Sequence, residues 1–141
     1  MQDIITVNHL SKSYGSHQVL NDISFSFQPG QIIALLGPNG SGKSSLIKIL
    51  TGLIHDYSGE VLIDGEVPGP STKAKIAYLP EKSYLADWMR AVDAINYIAD
   101  FYPDFDRDKA MRMLDTFGLQ PKQKIKSMSK GMQEKLQLIL V

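Results

Sequence analysis

The sequence predicts an α/β protein with a partial parallel sheet, an antiparallel β layer beside it and a helical part after it. Three observations lead to this fold class. Polar and apolar residues alternate near the N-terminus, a short run at 32–36 is apolar throughout, and helical spacing dominates from residue 85 onward. Alternation is typical of a strand with one solvated face, whereas a continuous apolar run suits a strand buried on both faces of a parallel sheet.

The antiparallel layer is predicted from the period of two. Ile23, Phe25 and Phe27 alternate with polar residues, as in a half-buried strand. A turn follows at 29–30, where proline precedes glycine. Another short strand is expected at 60–64, between two glycines.

Two segments, 31–36 and 75–79, are predicted as the central parallel strands. A parallel sheet of only two central strands has long unpaired edges. The last helix also ends in an apolar run without a cap. We therefore expect the sequence to be an incomplete domain. The alternative is a natural small domain whose final helix buries its end against a neighbour.

Four helices are expected. The first follows Gly42 and the last begins near Ser129. Of the two between them, the second is capped by Asp106 and stopped at Gly118. The other carries its apolar stripe on Val92, Ile95, Ala99 and Tyr102. We divide the chain into two parts. Residues 1–84 form the β layer and the α/β core with the first helix, and residues 85–141 form a helical subdomain that includes the last helix.

Composition restricts the function classes open to the chain. Its 141 residues suffice for one domain, and a hydrophobic share of 43% supports a packed core. The formal net charge is zero, so no nucleic-acid partner is expected from bulk charge. Lack of cysteine excludes disulfides and thiolate metal sites. No apolar run is long enough to cross a bilayer and the N-terminus does not resemble a secretion signal, so we expect a cytoplasmic protein.

A phosphate-binding loop is predicted at 37–44, where the sequence matches G-x-x-x-x-G-K-[ST] between a predicted strand and a predicted helix. Glycines let successive backbone N–H groups converge on an anion, and the helix directs the positive end of its dipole to the same point. Lysine supplies a mobile positive charge, and serine a hard oxygen ligand for Mg²⁺. The alternative is a glycine-rich turn that binds nothing. The candidate nucleotide-binding residues here are Gly37, Asn39, Gly40, Ser41, Gly42, Lys43, Ser44 and Ser45, with Lys43 also catalytic and Ser44 the Mg²⁺ ligand.

Three segments together resemble one family, the ATP-binding domain of ABC transporters. Gly-Pro-Asn-Gly-Ser-Gly-Lys-Ser at 37–44 resembles its Walker A sequence, and Leu-Ser-Lys-Ser-Tyr-Gly at 10–15 resembles its segment with an adenine-stacking aromatic residue. Met-Ser-Lys-Gly-Met-Gln-Glu-Lys at 128–135 resembles its signature motif, although lysine and methionine replace a glycine and the glutamine. The resemblance covers essentially the whole chain and implies a P-loop NTPase core.

The resemblance also implies roles for residues outside the loop. Tyr14 stacks on adenine, although a plain strand-end tyrosine is the alternative. Ser129 and Gly131 face the γ-phosphate of ATP held by another subunit, whereas the alternative is an ordinary capped helix. Glu81 stands where the family carries the glutamine of its Q-loop. A carboxylate there is a candidate catalytic group or Mg²⁺ ligand, and a solvated charge is its alternative.

For function, the resemblance implies the ATP-binding subunit of an ABC transporter. Such a subunit binds MgATP, pairs head-to-tail with a second ATP-binding subunit, and works with a transmembrane permease subunit at the inner face of the cell membrane. The family's Mg²⁺-binding aspartate and catalytic glutamate lie further along its chains. Residues 1–141 alone are therefore expected to bind ATP without hydrolysing it. Two alternatives remain open: an ABC-type ATPase not coupled to a membrane, and a non-enzymatic phosphate-binding module.

Overall fold

The computed structural model describes residues 2–141. The chain divides into two compact units, one running to Ala77 and the other starting at Tyr78. Within residues 2–141, no helix combines the length and apolar character needed to cross a membrane. The elements in chain order are β1 (Ile5–Tyr14), β2 (His17–Phe27), α1 (Lys43–Leu50), β3 (Ser58–Ile63), α2 (Pro70–Lys73), α3 (Ala91–Phe101), α4 (Arg107–Thr116), a 3-10 turn (Ile125–Ser127) and α5 (Lys130–Ile139).

The first unit is built on an antiparallel sheet of three strands in the order β2-β1-β3. Ile5 of β1 pairs with Phe27 on one side and with Ile63 on the other. The predicted alternation in β2 and the predicted strand at 60–64 are therefore confirmed. Helix α1 contributes to the buried cluster of this unit, which consists of Val7, Leu10, Leu20, Leu46, Ile49 and Val61.

An irregularity interrupts the pairing of β1 and β2. His9 and Asp22 both have left-handed backbone conformations, with φ of 50° and 49°. Their side chains meet with 2.7 Å between His9 Nδ1 and Asp22 Oδ1. The His9 N–H donates to Ser24 Oγ and the Asp22 N–H donates to Ser11 Oγ, both at 2.8 Å. Side chains thus satisfy backbone donors that the strands leave without a ladder partner.

This irregularity is a bulge, because three positions of β1 from Val7 to Leu10 lie opposite only two positions of β2. The bulge changes which β1 residues point into the unit. Val7 and Leu10 are both buried although three positions separate them, whereas regular alternation would put them on opposite faces. Lys12, two positions beyond Leu10, is buried as well, although the pairing with β2 shifts register again on either side of it. Tyr14 lies on the same side of the strand as Lys12, because its ring is under the Lys12 ammonium.

The two predicted central strands are not formed. Residues 31–36 and 75–79 have no regular secondary structure. Ile32 and Leu36 are almost fully solvent-exposed. A strand forms only where its backbone N–H and C=O groups pair with those of a neighbouring strand. The sheet in the described residues contains only β1, β2 and β3, and none of them pairs with either segment.

The second unit is helical, as predicted. Asp106 caps α4, since its Oδ1 accepts a hydrogen bond of 2.8 Å from the Lys109 N–H. The buried stripe on α3 is rotated from the predicted one, since Val92 and Ala99 are only partly buried. Tyr102, also predicted on the stripe, is beyond the helix end and about half exposed. The residues of α3 that are buried are Ala91, Ala94, Ile95 and Ile98.

Candidate nucleotide-binding site

The segment 37–44 leads into α1 as the motif requires. Helix α1 begins at Lys43, and Gly42 precedes it with φ of 90° and ψ of 2°. Gly40 is also left-handed, with φ of 83°. Because no side chain caps the helix, its first N–H groups remain available to an anion.

Gly42 lies directly against strand β2. A Cβ atom at this position would be 2.5 Å from the Val19 carbonyl oxygen and 2.7 Å from Leu20 Cδ2. Since the first of these is a backbone atom, it cannot rotate away. Glycine is therefore required twice, once for the left-handed backbone and once for the contact that fixes the helix start on the sheet.

Lys43 closes the loop from the helix side. Its Nζ donates to the carbonyl oxygens of Gly37 at 2.7 Å and Pro38 at 2.6 Å, with a longer contact of 3.4 Å to Ser41 Oγ. The ammonium group is thus held at the loop by neutral acceptors. A phosphate oxygen is a stronger, charged acceptor for the same group, so the lysine is placed to exchange or share these partners when an anion binds.

Tyr14 is brought to the first turn of α1. Its hydroxyl is hydrogen bonded with Ser45 Oγ at 3.2 Å, although 31 positions separate the two residues. The Tyr14 side chain remains 49% exposed, so ring surface is accessible to a ligand. Ser44 is also exposed, in the same turn. The structure therefore joins the predicted aromatic residue to the predicted phosphate loop through one helix turn.

One residue near Tyr14 was not singled out from the sequence. Lys12 Nζ lies over the Tyr14 ring, 4.7 Å from its centroid, and is hydrogen bonded to Asp56 Oδ2 at 2.9 Å. The lysine is only 5% exposed. The sequence could have indicated this neighbour, because residues two positions apart on a strand lie on the same face.

The remaining candidates belong to the second unit. Ser129 is the N-cap of α5, and its Oγ accepts a hydrogen bond of 3.2 Å from the Met132 N–H. Gly131 is in the first turn of that helix, with open space where a Cβ would project. Glu81 is exposed in a stretch without regular structure. The predicted helix start at Ser129 is therefore confirmed, while nucleotide-related roles for these three residues stay predictions.

Comparison with protein families matches residues 20–141 to the family described as ABC transporter. The zinc import ATP-binding protein ZnuC of Yersinia enterocolitica is 38% identical over 133 residues, which are 89% of this chain and 48% of that protein. The SkfA peptide export ATP-binding protein SkfE of Bacillus subtilis is 38% identical over 111 residues, which are 78% of this chain and 46% of that protein. The chain thus spans about half the length of these curated relatives.

Solved structures lead to the same group of proteins. A solved structure described as the ATP binding subunit of an ABC transporter matches this chain with a TM-score of 0.81 and 29% sequence identity. The match covers 97% of this chain and 60% of the other. An ATP-binding protein from Pyrococcus furiosus also has a TM-score of 0.81, at 26% identity, covering 96% and 68%. These likenesses confirm the predicted P-loop NTPase fold class, while the two predicted parallel strands are not formed in the described residues.

Proposed function

This chain belongs to the ABC transporter family, and we propose that it binds MgATP as part of an ATP-binding subunit, with the phosphates held at 37–44. The observation that carries the proposal is the position of Lys43. Its ammonium lies 2.7 Å and 2.6 Å from two loop carbonyl oxygens, at the start of a helix without a side-chain cap. A mobile cation and the uncapped N–H groups of a helix start thus occur together in one short segment, as an anion site requires.

The position of Tyr14 favours binding of a whole nucleotide over binding of phosphate alone. A ring that is about half exposed and fixed to Ser45 offers a flat apolar surface next to the loop. Stacking on such a surface contributes to base binding at a low cost in side-chain entropy. We assign the adenine of ATP to this ring.

The residues present fit a magnesium ion that arrives with its nucleotide. Mg²⁺ is usually held by one or two protein oxygens, substrate phosphates and water. The Ser44 side chain is exposed and follows Lys43 directly, so its hydroxyl is suited to be the protein ligand of the ion. Among residues 2–141, no group of three or more acidic or histidine side chains forms a separate metal site. When bound, the ion neutralises phosphate charge, while Lys43 and the loop N–H groups orient the phosphates. Glu81 is assigned to the ion or to the attacking water.

In the complete protein, we assign the N-terminus of α5 to the nucleotide of a second ATP-binding subunit. Ser129 and Gly131 then face the γ-phosphate in a head-to-tail dimer. This dimer works with a transmembrane permease subunit at the inner face of the membrane, and ATP hydrolysis by the complete protein drives transport. Relatives named for zinc import and peptide export are equally similar, at 38% identity. We therefore propose neither a transported substrate nor a direction.

Equilibrium binding of MgATP to the purified chain tests this proposal. Lys43→Ala removes a charged donor to phosphate, and we expect affinity to fall by about 10- to 100-fold. Lys48→Ala is the matched control, because Lys48 is an exposed lysine on the same helix. Equal affinity of the two variants would contradict the proposal. Equal affinity for MgATP and simple polyphosphates would favour a phosphate-binding module instead.

A further inference from the structure

Lys12 is unusual because a charged side chain lies almost completely buried beside the candidate base-binding ring. Only 5% of it is exposed, while its ionic partner Asp56 is 97% exposed. Lysine is rarely buried to this degree, because its ammonium loses hydration. The pair with Asp56 does not explain the burial, since an exposed lysine could reach an exposed aspartate equally well and such pairs contribute little to stability.

The other partner of the ammonium is the Tyr14 ring, whose centroid is 4.7 Å from Nζ. A cation above an aromatic face is attracted by the negative charge of that face. The ring is also held at its hydroxyl by Ser45. Lys12 and Ser45 thus restrain Tyr14 from two directions, one on the ring face and one at the ring tip.

We propose that Lys12 is a positioning residue for Tyr14 that covers one ring face and leaves the opposite face for adenine. This inference rests on the proposed binding of ATP at the loop. Its direct consequence is that only one side of the ring receives the base. The ring is also held ready before the nucleotide arrives, so binding does not have to order it.

The bulge in the sheet explains how the chain achieves this placement. The left-handed residue at His9 shifts the alternation of β1, so that Leu10, Lys12 and Tyr14 share one face. Without the extra residue, Lys12 and Tyr14 would both point away from the cluster that includes Leu46 of α1. The irregular strand therefore has a consequence at the binding site.

The test compares binding of MgATP and of magnesium tripolyphosphate, which lacks the base. Lys12→Met retains the buried stem and removes the charge, and Lys48→Met is the matched control on an exposed lysine. Loss of a cation–π restraint predicts about two- to fivefold weaker MgATP binding in Lys12→Met. Tripolyphosphate binding should not change. In a Tyr14→Ala background, Lys12→Met should have no further effect on either ligand.

These outcomes separate a positioning role from a structural one. If Lys12→Met weakens both ligands equally, or still weakens MgATP in the Tyr14→Ala background, Lys12 does not act through Tyr14 and the inference is wrong. If Tyr14→Ala leaves MgATP affinity unchanged, the assignment of adenine to Tyr14 fails instead.

A second measurement does not require a folded Lys12 variant. In the NMR spectrum, the Lys12 ε-methylene protons should be shifted upfield by the Tyr14 ring, and Tyr14→Leu should remove that shift. Lys48, which is exposed on α1, is the internal reference. Lys12 protons at ordinary positions, unaffected by Tyr14→Leu, would overturn the inference.

Discussion

Gly42→Ala should destabilise the first unit and weaken nucleotide binding more than any other single glycine change in the loop. At Gly42 the backbone has φ of 90°, a conformation that costs a residue with a Cβ about 1–3 kcal/mol. The new methyl group would also lie 2.5 Å from the Val19 carbonyl oxygen, well inside ordinary contact distances of 3.4–4 Å. Relieving that collision requires moving the start of α1 off β2, which adds about 1–3 kcal/mol.

Gly40→Ala is the matched control for the backbone contribution. Gly40 has a similar φ of 83°, but a Cβ there meets nothing within 4 Å. The difference in unfolding free energy between the two variants therefore isolates the collision, and we expect about 1–3 kcal/mol from urea denaturation. MgATP affinity should fall further in Gly42→Ala. If both variants were equally stable, the close packing of the helix start on β2 would not hold the loop, and this reasoning would be refuted.

Two further predictions concern the supporting structure. Asp106→Ala should lower the free energy of unfolding by about 1 kcal/mol, because α4 loses the hydrogen bond from the Lys109 N–H to its N-cap. Urea denaturation measures the change, and Asp108→Ala is the control, since Asp108 is an aspartate in the first turn of the same helix that is not its N-cap. Hydrogen bonds to Ser71 and to Lys75 hold the pKa of Glu66 below its ordinary value. The resulting stabilisation is present above the ordinary glutamate pKa of about 4.3 and lost as pH falls through the folded-state pKa. Glu66→Gln should therefore be less stable than wild type at pH 7, and the two should converge in acid; a pH-independent difference would contradict this.

Local patterns allowed much of the structure to be predicted. The alternation through Ile23 and Phe25 reports directly on a half-buried strand. The position of the phosphate loop before α1 and the caps at Asp106 and Ser129 depend on short-range hydrogen bonding and backbone geometry. For these features the determining residues are within a few positions of each other.

The features that were missed depend on residues far apart in the chain. The apolar run at 31–36 becomes a strand only beside a partner strand, and the described residues pair none with it. The bulge requires left-handed conformations at His9 and Asp22, which no glycine marks in the sequence. The role of Lys12 depended on that bulge, since alternation counted from Val7 would place Lys12 on the solvated face.

Amide NMR of the ¹⁵N-labelled chain during titration with MgATP tests the central claim most directly, since each backbone N–H at the candidate anion site is observed separately. We expect the largest shifts at Gly40, Gly42 and Lys43, and we expect Lys43→Ala to diminish them at the same nucleotide concentration. If saturating MgATP left these three amides unmoved while resonances elsewhere shifted, nucleotide would bind at a different place and the claim would be wrong.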